Sequence, residues 1–135
     1  MISHNTTIRV RYSETDRMGY VYYGNYPQYY EVGRVETMRK FGAPYKMLED
    51  SGILLPVANM NIDYIKPAYY DEELIVKTVI PNMPGVKFPF EYEIFNKNQE
   101  MINKGSTILV FVDRDTMKPC RIPDFLKEKV EPYFS

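Results

Sequence analysis

Hydrophobic and polar positions first alternate near the start of the chain. Across residues 7–13, Ile8, Val10 and Tyr12 alternate with Arg9 and Arg11, the period of two expected of a strand with one buried face. A first strand is therefore predicted over 7–13, with His4 in a polar tail ahead of it. Turn formers interrupt the pattern over 15–25, and Asn25 followed by Pro27 offers a side-chain cap and a proline for the first turn of a helix. From there Tyr26, Tyr30, Gly33, Thr37 and Phe41 recur at helical spacing, flanked by Tyr29 and Met38. Glu31, Arg34, Glu36, Arg39 and Lys40 mark the wetter positions, and Lys40 with Gly42 supplies the stop. Gly33 inside this helix costs about 1 kcal/mol relative to alanine, which predicts close approach of another backbone to the helix surface.

The pattern then becomes strand-like after one short amphipathic piece, "PYKMLEDSG", predicted as a second helix ending at Gly52. "LLPVANMNIDYIKPA" reads as extended chain that Pro56 and Pro67 confine to an edge, a bulge or a strand end. "ELIVKTVIPN" alternates between turns at "AYYDE" and "PNMPG". The stretch from Lys87 to Thr116 reads as two strands around a turn at "NKNQE". "PDFLKEKVEPYF" closes as a short helix. One strand, one long helix and about four further antiparallel strands make an α+β pattern in which a sheet covers one helix face.

Composition narrows the chemistry. The 135 residues fit one domain, 1–135, whose site must share its core. A formal charge of -1 lacks the basic excess of a nucleic-acid binder, and no apolar run approaches the ~20 residues of a membrane span. A cytoplasmic protein is expected. One cysteine, Cys120, and one histidine, His4, leave too few soft ligands for a zinc site and no base for a cysteine or serine nucleophile, although Lys118 and Arg121 stand beside Cys120 to lower its pKa. No metal and no cofactor are expected. Gly19 and Gly24 have phosphate-loop spacing, but the Asn25 and Tyr26 that follow are not the required lysine and hydroxyl residue.

Carboxylates remain as bases. Asp16 lies in a turn that enters the long helix, whose N-terminus presents unpaired amides and a partial positive charge. A carboxylate or water on one side of a carbonyl carbon and an amide donor on the other act together on it, the donor holding the developing oxyanion. From the residues alone the alternative stands: Asp16 bonds the turn backbone, and Tyr20, Tyr22, Tyr23, Tyr26, Tyr29 and Tyr30 pack beneath the sheet.

The whole stretch "VRYSETDRMGYVYYGNYPQYYEVGRVETMRKFG" resembles the signature of the 4-hydroxybenzoyl-CoA thioesterase and related acyl-CoA thioesterase family. There a strand carries R-Y, a turn carries T-D-x-x-G, and N-Y-x-x-Y opens the central helix. "YIKPAYYDEELIVKT" and "KGSTILVFVDRDTMKPCRIP" resemble later strands of the same family. The resemblance implies a hotdog fold, a five-stranded antiparallel sheet wrapped around one long helix. It further implies an acyl-CoA thioesterase acting as a homodimer, often assembled into a homotetramer, with sites at the subunit interface. Asp16 takes the position of the catalytic carboxylate, as nucleophile or general base, and Tyr23 that of the residue whose backbone amide polarises the thioester carbonyl. Gly24 and Asn25 lie beside it, and Gly24 stands where some relatives carry a histidine. Asn59, Met60 and Asn61 match a segment near the partner's side of the pocket, or are polar residues of an edge. A noncatalytic acyl-CoA or apolar-ligand binder and a thioesterase for acyl carrier protein are the rival expectations.

Overall fold

The computed structural model describes residues 1–134. Its main sheet orders five antiparallel strands β1-β4-β5-β6-β3, with β1 Ile2–Arg9, β3 Val57–Tyr64, β4 Glu73–Ile80, β5 Lys87–Phe95 and β6 Met101–Val110. A two-residue β2, Ile53–Leu54, pairs with β7, Val112–Asp113. The long helix α1 spans Tyr26–Lys40, followed by α2 Tyr45–Asp50 and, near the end, α3 Asp124–Val130. Leu74, Val76, Thr78 and Ile80 of β4 and Phe88, Phe90, Tyr92 and Ile94 of β5 alternate inward and are buried. They face the buried stripe of α1 formed by Tyr26, Tyr29, Tyr30, Gly33, Thr37 and Met38.

The first strand starts and stops earlier than 7–13. Ile2 to Arg9 pairs residue for residue with Ile80 to Glu73, so the ladder carries the polar run Ser3–Thr7 into the sheet despite its weak alternation. His4 thus sits in β1 opposite Thr78, not in a tail. The expected turns appear at Tyr69–Glu72 and Asn96–Gln99, where Asp71 and Gln99 adopt positive φ. β3 is an edge strand, one of the places to which Pro56 and Pro67 confined this stretch, and both prolines fall outside its ends.

Two helix details differ from expectation. Arg34 is buried, because its Nε donates to the Tyr45 hydroxyl at 3.2 Å and its Nη1 to that of Tyr92 at 3.1 Å. Tyr92 in turn shares a 2.6 Å hydrogen bond with Thr107. The Gly33 approach is made by side chains of β4, not by backbone. A Cβ there would stand 2.5 Å from Thr78 Oγ1 and 2.9 Å from Val76 Cγ1. Helix α1 ends as predicted, with Gly42 at φ 87°.

Candidate active site

The strand leaves the sheet at Arg11 and is caught at once by a buried carboxylate. Glu14 accepts from the Arg11 amide at 2.8 Å, from Arg11 Nε at 3.1 Å and from the Tyr29 hydroxyl at 2.9 Å. Burial, then this carboxylate, pushes the Tyr29 pKa well above the usual tyrosine range. The Glu14 carbonyl accepts from the Tyr22 amide at 2.9 Å and from Asn25 Nδ2 at 2.8 Å. Asn25 therefore does not cap α1 as expected. It has helical backbone angles, and its side-chain amide is turned back to hold the strand exit against the helix entry.

Between these two clamps runs a tight turn. The Asp16 amide donates to Tyr20 O and the Gly19 amide to Asp16 O, each at 3.0 Å, with Gly19 at φ 84°. That left-handed angle is open to glycine at no steric cost. Asp16 Oδ1 accepts from the Met18 amide at 2.8 Å, so one carboxylate oxygen is anchored and the half-buried group has a fixed direction.

Beyond the turn the backbone enters a 3-10 turn, Tyr23–Asn25, that runs straight into α1. Among the described residues the amides of Tyr23 and Gly24 have no hydrogen-bond acceptor, as befits the first positions of a helical segment. Asp16 and Tyr23 line one cleft of about 390 Å³, with Val21, Tyr26, Tyr64 and Pro67 among its walls. Burial raises the Tyr26 pKa to about 12, with Tyr64 adding to the rise, so its hydroxyl stays protonated at neutral pH. Lys66 stands at the same cleft, hydrogen-bonded to Glu100. Asp16 also borders a second hollow, with Arg17, Tyr12 and Tyr70.

A family model for the thioesterase-like superfamily matches residues 10–130. The chain belongs to that superfamily. It is 40% identical over 112 residues to YneP of Bacillus subtilis, covering 83% of this chain and 81% of that protein. It is 32% identical over 116 residues to the acyl-CoA thioester hydrolase YbgC of Escherichia coli O6:H1, covering 86% and 87%. Among solved structures, a DHNA-CoA thioesterase from Staphylococcus aureus superposes with TM-score 0.91 at 38% identity, covering 98% of this chain and 89% of that one. The five-stranded sheet around its helix is the hotdog fold.

In this thioesterase-like chain the cleft thus unites Asp16 with Tyr23, while Gly24 and Asn25 adjoin it in the same turn without lining it. Asn59, Met60 and Asn61 lie away from it. Met60 pairs with buried Thr107, and Asn59 and Asn61 take the alternate, outward face of β3. Sequence reading missed Tyr64 as a wall and Glu14 as the clamp. Glu14 carried a faint signal, a charged residue two positions before the turn aspartate; Tyr64 is brought in by the β3 register and had none.

Cys120 is half-buried, and burial followed by Asp113 raises its pKa, against the lowering expected from Lys118 and Arg121. Both of those side chains lie exposed. Among the described residues no helix is long and apolar enough to cross a membrane.

Proposed function

We propose that this chain hydrolyses acyl-CoA thioesters to a free carboxylic acid and CoA at the Asp16 cleft. The observation that carries the reading is the convergence on one cleft of an anchored carboxylate and of the turn whose Tyr23 amide is unpaired, in a chain of this superfamily. The Tyr23 N–H meets the thioester oxygen as it becomes an oxyanion, supported by the partial positive charge of the α1 N-terminus. On one route Asp16 takes a proton from water as the water oxygen bonds to the carbonyl carbon. The tetrahedral intermediate then collapses, the C–S bond breaks, and CoA leaves as a thiolate that gains a proton. On the other route the Asp16 carboxylate attacks directly, CoA thiolate leaves, and water opens the resulting anhydride. Label in Asp16 after a single turnover in oxygen-18 water identifies the anhydride route with water opening it at the Asp16 carbonyl, since the general-base route leaves the carboxylate unlabelled.

Four tyrosines at the cleft, Tyr20, Tyr23, Tyr26 and Tyr64, favour an aromatic acyl group, whose ring packs edge-on against theirs. A second copy of the chain completes the site. β3 has a neighbour on one side only, and most of its side chains are exposed, so a partner's β3 extends the sheet there. The deciding experiment is thiol release from aromatic, short and long acyl-CoAs, and from acyl carrier protein thioesters, beside Asp16→Asn. Turnover by wild type with kcat reduced about 100-fold or more in Asp16→Asn is expected. Undiminished hydrolysis in the variant refutes the mechanism, absence of turnover of any thioester leaves a binding protein, and an active monomer in solution refutes the shared site.

A further inference from the structure

Asp16 is shared by two hollows. One is the tyrosine cleft of about 390 Å³, walled further by Val21, Ile65 and Pro67. The other, of about 720 Å³, lies against Tyr12, Ser13, Thr15, Arg17 and Tyr70. Two pinned turns build its walls. Tyr12 opens the 3-10 turn Tyr12–Glu14, and its carbonyl accepts from the Thr15 amide at 3.1 Å and from Thr15 Oγ1 at 2.8 Å. Tyr70 stands in the turn ahead of β4, where the Asp71 amide donates to Val10 O at 2.9 Å and the Glu72 amide to Tyr69 O at 3.1 Å. The two rings meet edge to face, 5.5 Å apart at 80°, yet Tyr12 is 77% and Tyr70 56% exposed. Rings this exposed add little to the core, and on held backbone they keep an apolar surface turned to the hollow. The side chains of Ser13 and Arg17 are exposed and make no hydrogen bond or ion pair among the described residues. A hydroxyl and a guanidinium are thus free to meet a ligand's carbonyl oxygens.

We propose that this second hollow holds the pantetheine arm of the substrate, the chain of two amides and a dimethyl carbinol through which CoA and acyl carrier protein alike present the thioester sulfur. The assignment rests on the reading that Asp16 acts on the thioester carbonyl. A thioester has two limbs, which leave the planar carbonyl carbon at a wide angle. With that carbon at Asp16, the acyl limb enters the tyrosine cleft and the sulfur limb leaves through the other hollow. Size agrees, because the arm is longer than an aryl acyl group and takes the larger space. Chemistry agrees as well: the dimethyl group packs on the Tyr12 and Tyr70 rings, and the amide carbonyls accept from the Ser13 hydroxyl and from Arg17. The hollow sits at the β1–β4 side of the sheet, so a second copy on the β3 edge leaves it open.

The test compares one acyl group on three thiols: CoA, pantetheine, and N-acetylcysteamine, which ends after the first amide of the arm. Tyr12→Ala and Tyr70→Ala, both at exposed positions, are assayed beside wild type and Asp16→Asn, with circular dichroism to confirm the fold. Each tyrosine variant should lower kcat/KM about 10-fold with the CoA and pantetheine thioesters and less than about twofold with the N-acetylcysteamine thioester. CoA and acyl carrier protein thioesters of the same acid, run side by side, show which carrier supplies the arm, and the variants should slow the one that wild type uses. Equal loss with all three thiols, no loss with any, or a loss confined to the CoA thioester overturns the proposal. Activity retained in Asp16→Asn instead overturns the thioesterase mechanism, while the tyrosine variants still decide where the arm lies. If wild type cleaves no thioester, calorimetry with pantetheine decides. Binding weakened about 10-fold in Tyr70→Ala keeps the arm in the hollow, and binding that is absent or unchanged removes it.

Discussion

Replacing Gly33 with alanine should destabilise this protein even though alanine is the better helix former. Propensity alone favours alanine by about 1 kcal/mol. Against it stands the added Cβ, 2.5 Å from Thr78 Oγ1 and 2.9 Å from Val76 Cγ1, both well inside van der Waals contact. These atoms cannot swing aside cheaply. Thr78 and Val76 are branched at Cβ, and both are fully buried in β4. Overpacking of this kind costs about 1–3 kcal/mol, so the net loss expected for Gly33→Ala is about 1 kcal/mol. In a Thr78→Ala background the loss should shrink, although Val76 Cγ1 still stands 2.9 Å away. That change removes the nearer clashing atom and also a buried hydroxyl without a hydrogen-bond partner among the described residues. Gly33→Ala should then be close to neutral, a coupling of about 1 kcal/mol between the two positions. Urea unfolding of the four proteins, followed by circular dichroism at one protein concentration, measures the cycle. A stabilising Gly33→Ala in the wild-type background, or additivity of the two changes, would show that α1 does not lie this close to β4.

Alkaline pH should unfold the protein cooperatively. Tyr26 and Tyr92 have pKa values pushed up to about 12 chiefly by burial, and Tyr29 and Tyr30 are raised for the same leading reason. In the unfolded chain all four ionise near about 10. Above that pH the unfolded state gives up protons that the folded state keeps, so stability present below pH 10 is lost as pH rises, by about 1.4 kcal/mol per pH unit for each group. Unfolding midpoints and tyrosinate absorbance measured together should change in one step. Smooth ionisation of all 13 tyrosines near pH 10 with native circular dichroism would refute this. Tyr29→Phe should cost about 1.5–3 kcal/mol in urea unfolding, because it takes a hydrogen-bond donor from the buried Glu14 carboxylate; a loss below about 0.5 kcal/mol would mean that Arg11 alone satisfies that group.

The long helix was legible because its apolar face, proline start and glycine stop are all local, and because nothing in the tertiary fold contradicts them. Strands β4 and β5 were legible for the same reason, with apolar residues at most of their inward positions and charged ones such as Glu73, Lys77, Glu91 and Glu93 between them. Asp16 was legible as a turn aspartate ahead of a helix, because neighbours in sequence create that pattern, while its chemical role came only from the family resemblance. What sequence concealed is set by partners far along the chain. The polar run at Ser3–Thr7 becomes a strand only because β4 offers it a ladder. Arg34 looks solvated until the hydroxyls of Tyr45 and Tyr92 close around it. Asn25 has the right identity and place for a cap, yet the Glu14 carbonyl competes successfully for its side chain. Tyr64 is one tyrosine among 13 until the register of β3 against β6 carries it to Tyr23.

One turn apart on α1, Tyr30 donates to Asn103 and Arg34 to Tyr92, so the middle of the helix is bonded to β5 and β6 by directional contacts. Apolar packing alone would tolerate a sliding helix, since one hydrophobic ridge fits much like the next. Two polar bolts do not, because a shift of one residue breaks both and leaves buried groups unpaired. The N-terminal half-turn and the loop before it are therefore relieved of the task of holding the helix in register. Where the Glu14 and Asn25 clamps are left in place, substitutions of exposed residues there, such as Met18, can reshape the cleft with little penalty to folding, which gives a lineage built on this frame room to try new acyl groups while the scaffold stays still.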